Sequence, residues 1–135
     1  MAEFLEIEGG KPLVGEVRVA GAKNGVLPML CAALLTGDRC RFSRVPNIQD
    51  VSIALHLLET LGASVQYQAG TIDVSVPALR ATEASYSLVK ALRASFWVLG
   101  PLLARGGAAR VALPGGDLIG ARPVDMHLSA LTAMG

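Results

Sequence analysis

VSIALHLLETLG at residues 51–62 and VDMHLSALTAMG at residues 124–135 are two versions of one helix, and their registration decides the fold. Val51 and Val124, Leu55 and Leu128, Leu58 and Leu131, and Gly62 and Gly135 each stand 73 positions apart. Upstream, Pro28 and Pro101 keep the same offset. A constant offset of this size marks consecutive copies of one supersecondary unit.

Working outward from the first copy, LVGEVRVA at residues 13–20 alternates as a strand does. Leu27, Leu30, Cys31 and Leu34 then follow at helical spacing, with Pro28 near the first turn. Residues 39–45 read as a second strand, and Asp50 can cap a helix whose face is Val51, Ala54, Leu55 and Leu58, closed by Gly62. Two short strands, 64–68 and 71–76, join across Ala69 and Gly70. The unit is βαβαββ, over about residues 14–76.

A second copy is expected from about residue 79 to 135. There Val89, Leu92, Phe96, Leu99 and Leu103 form the buried stripe of one helix, residues 109–113 a strand and residues 123–134 the second helix. This copy stops where its closing hairpin should begin, so the chain reads as truncated. An open sheet edge and apolar helix faces would then call for a partner chain or further C-terminal sequence, or give poor solubility.

Composition narrows the function classes. With 135 residues and 52% hydrophobic content, the chain can bury a sizeable core. Aromatics are only 4%, which suits helices packed on a sheet better than an aromatic nucleic-acid platform. The net charge of +1 and the scatter of arginines from Arg18 to Arg122 leave no basic tract for a polyanion. Cys31 and Cys40 lack metal-ligand spacing and read as reduced, buried thiols. Glu3, Glu6 and Glu8 replace a basic leader, and the apolar runs 26–35 and 96–104 fall short of the roughly 20 residues of a membrane span, so a cytoplasmic protein is expected. No GxGxxG or GKS/GKT opens a helix after a strand, which removes the Rossmann and P-loop classes.

The chemistry concentrates in LPGGDLIGARPVDMH at residues 113–127. Gly115, Gly116 and Gly120 allow a loop of unusual backbone angles, and Arg122 and Pro123 stand where a helix should begin. Free N–H groups there, with Arg122, could meet a phosphate; an ordinary strand-to-helix turn is the plain alternative.

That block, with GAKN at residues 21–24 and RASFWVLGPLLAR at residues 93–105, closely resembles the UDP-N-acetylglucosamine 1-carboxyvinyltransferases, the enolpyruvyl transferases that open peptidoglycan synthesis. The resemblance runs from about Gly9 to the end, although members of the family are considerably longer than this chain. It implies an inside-out α/β barrel fold, two domains of three βαβαββ units each, with substrates in the cleft between them. Residues 1–20 would then belong to the other, mostly absent domain, and residues 21–135 to a partial one. It further implies a transferase of cell wall biogenesis, cell shape and cell division. Its substrates would be phosphoenolpyruvate and UDP-N-acetylglucosamine, its partner the missing C-terminal part. Metal, cofactor, nucleic acid and membrane are not expected.

The roles follow position by position. Lys23 matches the lysine that contacts phosphoenolpyruvate and Asn24 the asparagine that contacts the sugar nucleotide; alone, a Lys at a helix start would be solvated. Arg93 matches the arginine holding the phosphoenolpyruvate phosphate. At helical spacing Lys90, Arg93 and Trp97, the last a substrate-binding candidate, share a face that the residues alone would make a solvated one. Arg122 matches the arginine at the substrate phosphates, and Pro123, Val124, Asp125 and His127 the stretch lining the uridine pocket. His127 also falls on the apolar side with Val124 and Leu128, so a satisfied core histidine stands beside that role. Arg105 and Arg110 read as structural or solvated, and His56 receives no role.

One position departs from the family. Asp117 stands where most members carry the loop cysteine proposed as general acid. An ordinary Asp carboxyl ionises near pH 3.9, so donating at neutral pH needs the neutral form favoured by about 4 kcal/mol. Phosphate charge and loop closure push that way, so Asp117 is expected to be, or share, the acid. A carboxylate is also a poorer nucleophile than a thiolate, which implies insensitivity to fosfomycin. The alternatives are a catalytically incompetent fragment of such an enzyme and the shikimate-pathway enolpyruvyl transferase.

Overall fold

The computed structural model describes residues 4–113 and 124–135. Its first helix, α1 (Lys23–Ala32), buries Val26, Leu27, Leu30 and Cys31, the stripe that the helical spacing predicts. A 3-10 turn, Ala33–Leu35, continues it and buries Ala33 and Leu34. Pro28 lies inside α1 rather than at its start. It forfeits the bond to the carbonyl of Asn24, a loss that burial of its neighbours offsets.

Strand β1 (Arg39–Phe42) leads to α2 (Gln49–Thr60), and the hairpin β2 (Ser64–Gln68) and β3 (Thr71–Ser75) follows. The three strands form one antiparallel sheet in the order β1-β3-β2, with Cys40 and Val65 both opposite Val74. Ile72 and Val74 of the central strand are fully buried against the helices. The opposite face is polar, and Asp73 there receives bidentate bonds from Arg39, at 3.0 and 2.7 Å, and from Arg41, at 2.8 and 2.9 Å.

Helix α2 differs from expectation in two respects. Asp50 does not cap it: Ile48 holds the cap position in an extended conformation and Asp50 lies in the first turn. A carboxylate is favoured there by the unpaired N–H groups, and Asp50 is also drawn to a cation on α1 described below. The buried face is Val51, Ala54, Leu57 and Leu58, with Leu55 half-buried at its edge. Gly62 closes the helix at φ +114, and a β-carbon there would lie 2.7 Å from the Ala78 carbonyl and 2.9 Å from the Arg80 amide. Only glycine fits such an angle and such an approach.

The alternation at residues 13–20 does not become a strand: Leu13, Val14, Val17 and Val19 are 86–99% exposed. A strand needs a ladder partner, and this segment has none among the described residues.

The second copy is broken where one helix is expected. Helix α3 (Tyr86–Ala91) ends at Leu92, which is extended at φ −137 and ψ 110; a 3-10 segment Arg93–Val98 then leads into α4 (Leu99–Gly106). That extended residue and the tighter 3-10 winding shift the register. Val89, Leu92 and Phe96 stay buried, but Val98 and Leu102 take the places expected for Leu99 and Leu103. The buried Ser95 hydroxyl donates to the Leu88 carbonyl across the break. The expected strand at residues 109–113 is reduced, among the described residues, to one parallel bridge between Glu83 and Arg110. Helix α5 (Asp125–Met134) then carries no buried residue.

Arg105 of α4 ties the two copies together. Its Nη1 donates to the carbonyls of Leu34 (3.0 Å) and Thr36 (2.9 Å), and its Nη2 to that of Pro77 (3.0 Å). The structural reading of this arginine holds. Arg110 makes a long ion pair to Glu83 at 3.7 Å and is exposed.

Candidate functional site

Between the two copies lies a cavity of about 1000 Å³. The starts of α1, α2 and α5 contribute Lys23, Asp50 and Val124 to its wall, whereas α4 runs on directly from the 3-10 segment, with the Leu99 N–H bonded to the Phe96 carbonyl. Helix starts carry partial positive charge and favour anions. Lys23 and Asn24 come from the first turn of α1, Asp50 from that of α2, Arg93 and Trp97 from the 3-10 segment, and Val124 and His127 from the start of α5. The floor is apolar, formed chiefly by Leu27, Leu92, Phe96 and Leu131.

Backbone sterics set the position of Lys23. Gly21 passes so close to Arg44 that a β-carbon would collide with the Arg44 carbonyl oxygen. The chain then turns through Ala22, whose carbonyl accepts from Gly25 (3.2 Å) and Val26 (3.0 Å), and α1 begins at Lys23. Lys23 Nζ lies 2.9 Å from Asp50 Oδ2. Sequence spacing misses this pair, since an Asp before an apolar helix looks like a cap whichever way it turns.

Six of the residues singled out by sequence therefore share one cavity: Lys23, Asn24, Arg93, Trp97, Val124 and His127. Lys90, expected on the same face as Arg93 and Trp97, does not line it, because the break at Leu92 interrupts the helix that would have aligned them. His127 is exposed and lines the cavity, so it is not a core histidine. Asp125 is exposed in the first turn of α5 and does not line the cavity. Asp117, Arg122 and Pro123 lie outside the described residues.

Beneath the floor, Cys31 lines a small apolar void with Ala54, Leu57 and Leu58. Burial pushes its thiol up to about 12, which leaves it protonated and unreactive at neutral pH. Cys40 is only half-buried. Among the described residues no helix is long and apolar enough to cross a membrane.

Comparison with known proteins gives this arrangement its relatives. A UDP-N-acetylglucosamine 1-carboxyvinyltransferase of Methylacidiphilum infernorum is 47% identical over 135 residues, which is 100% of this chain and 32% of that protein. UDP-N-acetylglucosamine 1-carboxyvinyltransferase 2 of Carboxydothermus hydrogenoformans is 48% identical over 135 residues, again 100% of this chain and 32% of its own length. A third such protein, from a Nitratiruptor species, is 46% identical over 133 residues, 98% of this chain and 32% of its own. The chain thus spans about a third of the length of the curated relatives it matches. Among solved structures, the enolpyruvyl transferase NikO from Streptomyces tendae superposes with a TM-score of 0.68 at 27% identity, covering 75% of this chain and 24% of that one. The fold is therefore of the enolpyruvyl transferase type, here as mixed α/β units with a small antiparallel sheet. Since the sequence profile of EPSP synthase (3-phosphoshikimate 1-carboxyvinyltransferase) also matches residues 7–135, the chain belongs to that family.

Proposed function

We propose that this chain carries part of the site that transfers the enolpyruvyl group of phosphoenolpyruvate to the 3'-hydroxyl of UDP-N-acetylglucosamine. The observation behind this reading is the convergence of Lys23 and Arg93 on a cavity that the starts of α1, α2 and α5 also line. Two cations beside the starts of helices suit a substrate carrying both a phosphate and a carboxylate. The names of the three relatives select the sugar nucleotide as acceptor.

In the reaction the acceptor hydroxyl oxygen bonds to C2 of phosphoenolpyruvate and loses its proton, while C3 gains one. The tetrahedral adduct then expels phosphate from C2 and returns a proton from C3, leaving the enol ether. Lys23 and Arg93 hold the phosphate and carboxylate and stabilise the charge that builds on the departing phosphate. Asn24, Trp97, Val124 and His127, with Arg122, Pro123 and Asp125, bind the sugar nucleotide. Asp117 delivers the proton to C3. Residues 1–20 pair with the second domain of the whole enzyme, whose site would close over the cavity. The place of the reaction would be the cytoplasm, at the head of peptidoglycan synthesis, and the enzyme would resist fosfomycin.

The test is a chimera in which these 135 residues replace the matching third of the Carboxydothermus hydrogenoformans relative. Phosphate release from phosphoenolpyruvate that depends on UDP-N-acetylglucosamine is the expected result. Release that depends instead on 3-phosphoshikimate would reassign the acceptor. A calorimetric titration of the 135-residue chain with UDP-N-acetylglucosamine, alone and with the rest of the relative supplied, shows how much of the acceptor site it holds.

A further inference from the structure

Asp50 has no part in the transfer outlined above, yet its carboxylate meets Lys23 at 2.9 Å and both groups line the cavity. Lys23 opens α1, where the unpaired N–H groups disfavour a cation. Its side chain is 51% exposed on a flexible four-carbon stem, so without a tether it would swing toward water. Asp50 sits in the first turn of α2, where the same helix-end charge favours a carboxylate.

We propose that Asp50 is a positioning residue: it draws the Lys23 ammonium from α1 toward α2 across the cavity and holds it where an anionic substrate arrives. An ammonium has three donors, so Lys23 can keep Asp50 and still donate to a phosphate or carboxylate. The rotamers of Lys23 are restricted before the ligand comes, which lowers the ordering cost of binding. Half-exposed ion pairs contribute little to folding, so the role is seen in the placement of Lys23 and not in the melting temperature. The contact of Lys23 with phosphoenolpyruvate rests on the function proposed above; its placement by Asp50 does not.

Pulsed acetylation of the 135-residue chain with acetic anhydride, mapped by mass spectrometry, reads the availability of Lys23 against Lys11 and Lys90 as internal references. Asp50→Asn is expected to speed modification of Lys23 about fivefold against both references, and Asp50→Glu to keep it within about twofold of the parent. Phosphoenolpyruvate should slow modification of Lys23 in the parent, and the concentration for half protection should rise about fivefold in Asp50→Asn. Equal rates at Lys23 in the parent and Asp50→Asn, or an equal half-protection concentration, would overturn the proposal. If Asp50→Asn frees Lys23 but phosphoenolpyruvate protects it in neither protein, placement by Asp50 is upheld, and the transferase reading is decided by the chimera.

Discussion

The carbonyl oxygen of Arg44 occupies the place where Gly21 would carry a β-carbon. Arg44 is itself held at φ +57, left-handed backbone that a non-glycine residue adopts only when its surroundings enforce it. This close approach fixes the start of α1, and with it Lys23 and Asn24 at the cavity. Gly21→Ala should therefore displace α1 or strip the packing behind residues 44–46. A loss of about 2 kcal/mol or more in urea unfolding is expected. A variant as stable as the parent would show that the two segments can separate without cost.

Arg105 bridges three carbonyls, those of Leu34, Thr36 and Pro77. The first two end the 3-10 turn after α1, and the third follows β3. Arg105→Met keeps most of the stem and removes the donors, so it should cost about 2 kcal/mol in chemical denaturation, reduced from the full value because part of the cluster reaches water. Arg105→Lys should recover less than half, since an ammonium cannot span a site built for a planar fork.

The hairpin β2–β3, the glycine closure at Gly62 and the buried stripe of α1 were legible because each rests on short-range rules: alternation, a turn, a helical period. The alternation at residues 13–20 was equally legible, but alternation cannot supply a neighbouring strand. The break at Leu92 left no local mark, because RASFWVLGPLLAR satisfies a continuous helix and packing between the copies sets the register there. The site divides in the same way. Lys23, Arg93 and Trp97 lie on what spacing alone makes solvated faces, and they draw together only once the copies stack around the cavity. The resemblance named them; the pairing of Asp50 with Lys23 escaped both routes, and Arg105 was read as structural without its distant partners.

Asp73 gives the sheet a pH signature. Hydrogen bonds from Arg41, and next from Arg39, hold its carboxyl well below the usual carboxylate range. A carboxyl depressed by folding contributes stability that is complete above its unfolded value, near pH 4, and is lost as pH falls from there toward the folded value. Thermal melts of the parent and Asp73→Asn should thus differ by a constant margin above about pH 5 and converge below about pH 4. A margin unchanged down to pH 2 would mean that the arginines do not favour the charged form.

Asp117 is the position on which the proposed chemistry depends most, since a carboxyl there must be protonated when phosphoenolpyruvate is bound. Two bound phosphoryl substrates and exclusion of water by the glycine-rich loop would each raise its proton affinity, and a nearby cation would oppose them. In a polypeptide of the relatives' length that carries this chain, Asp117→Asn should lower turnover at least about a hundredfold while KM for phosphoenolpyruvate changes little. Asp117→Cys should keep activity and gain a covalent fosfomycin adduct at that residue, which the parent lacks. The ascending limb of the parent's pH profile and its descending limb separate two roles: activity that falls as pH rises through the Asp117 titration marks a proton donor, whereas activity that falls as pH drops marks a carboxylate needed in its charged form. Near-normal turnover in Asp117→Asn would remove the residue from the reaction and assign the proton to another group in the closed cleft, whereas a fosfomycin adduct at Asp117 in the parent would overturn the expected insensitivity.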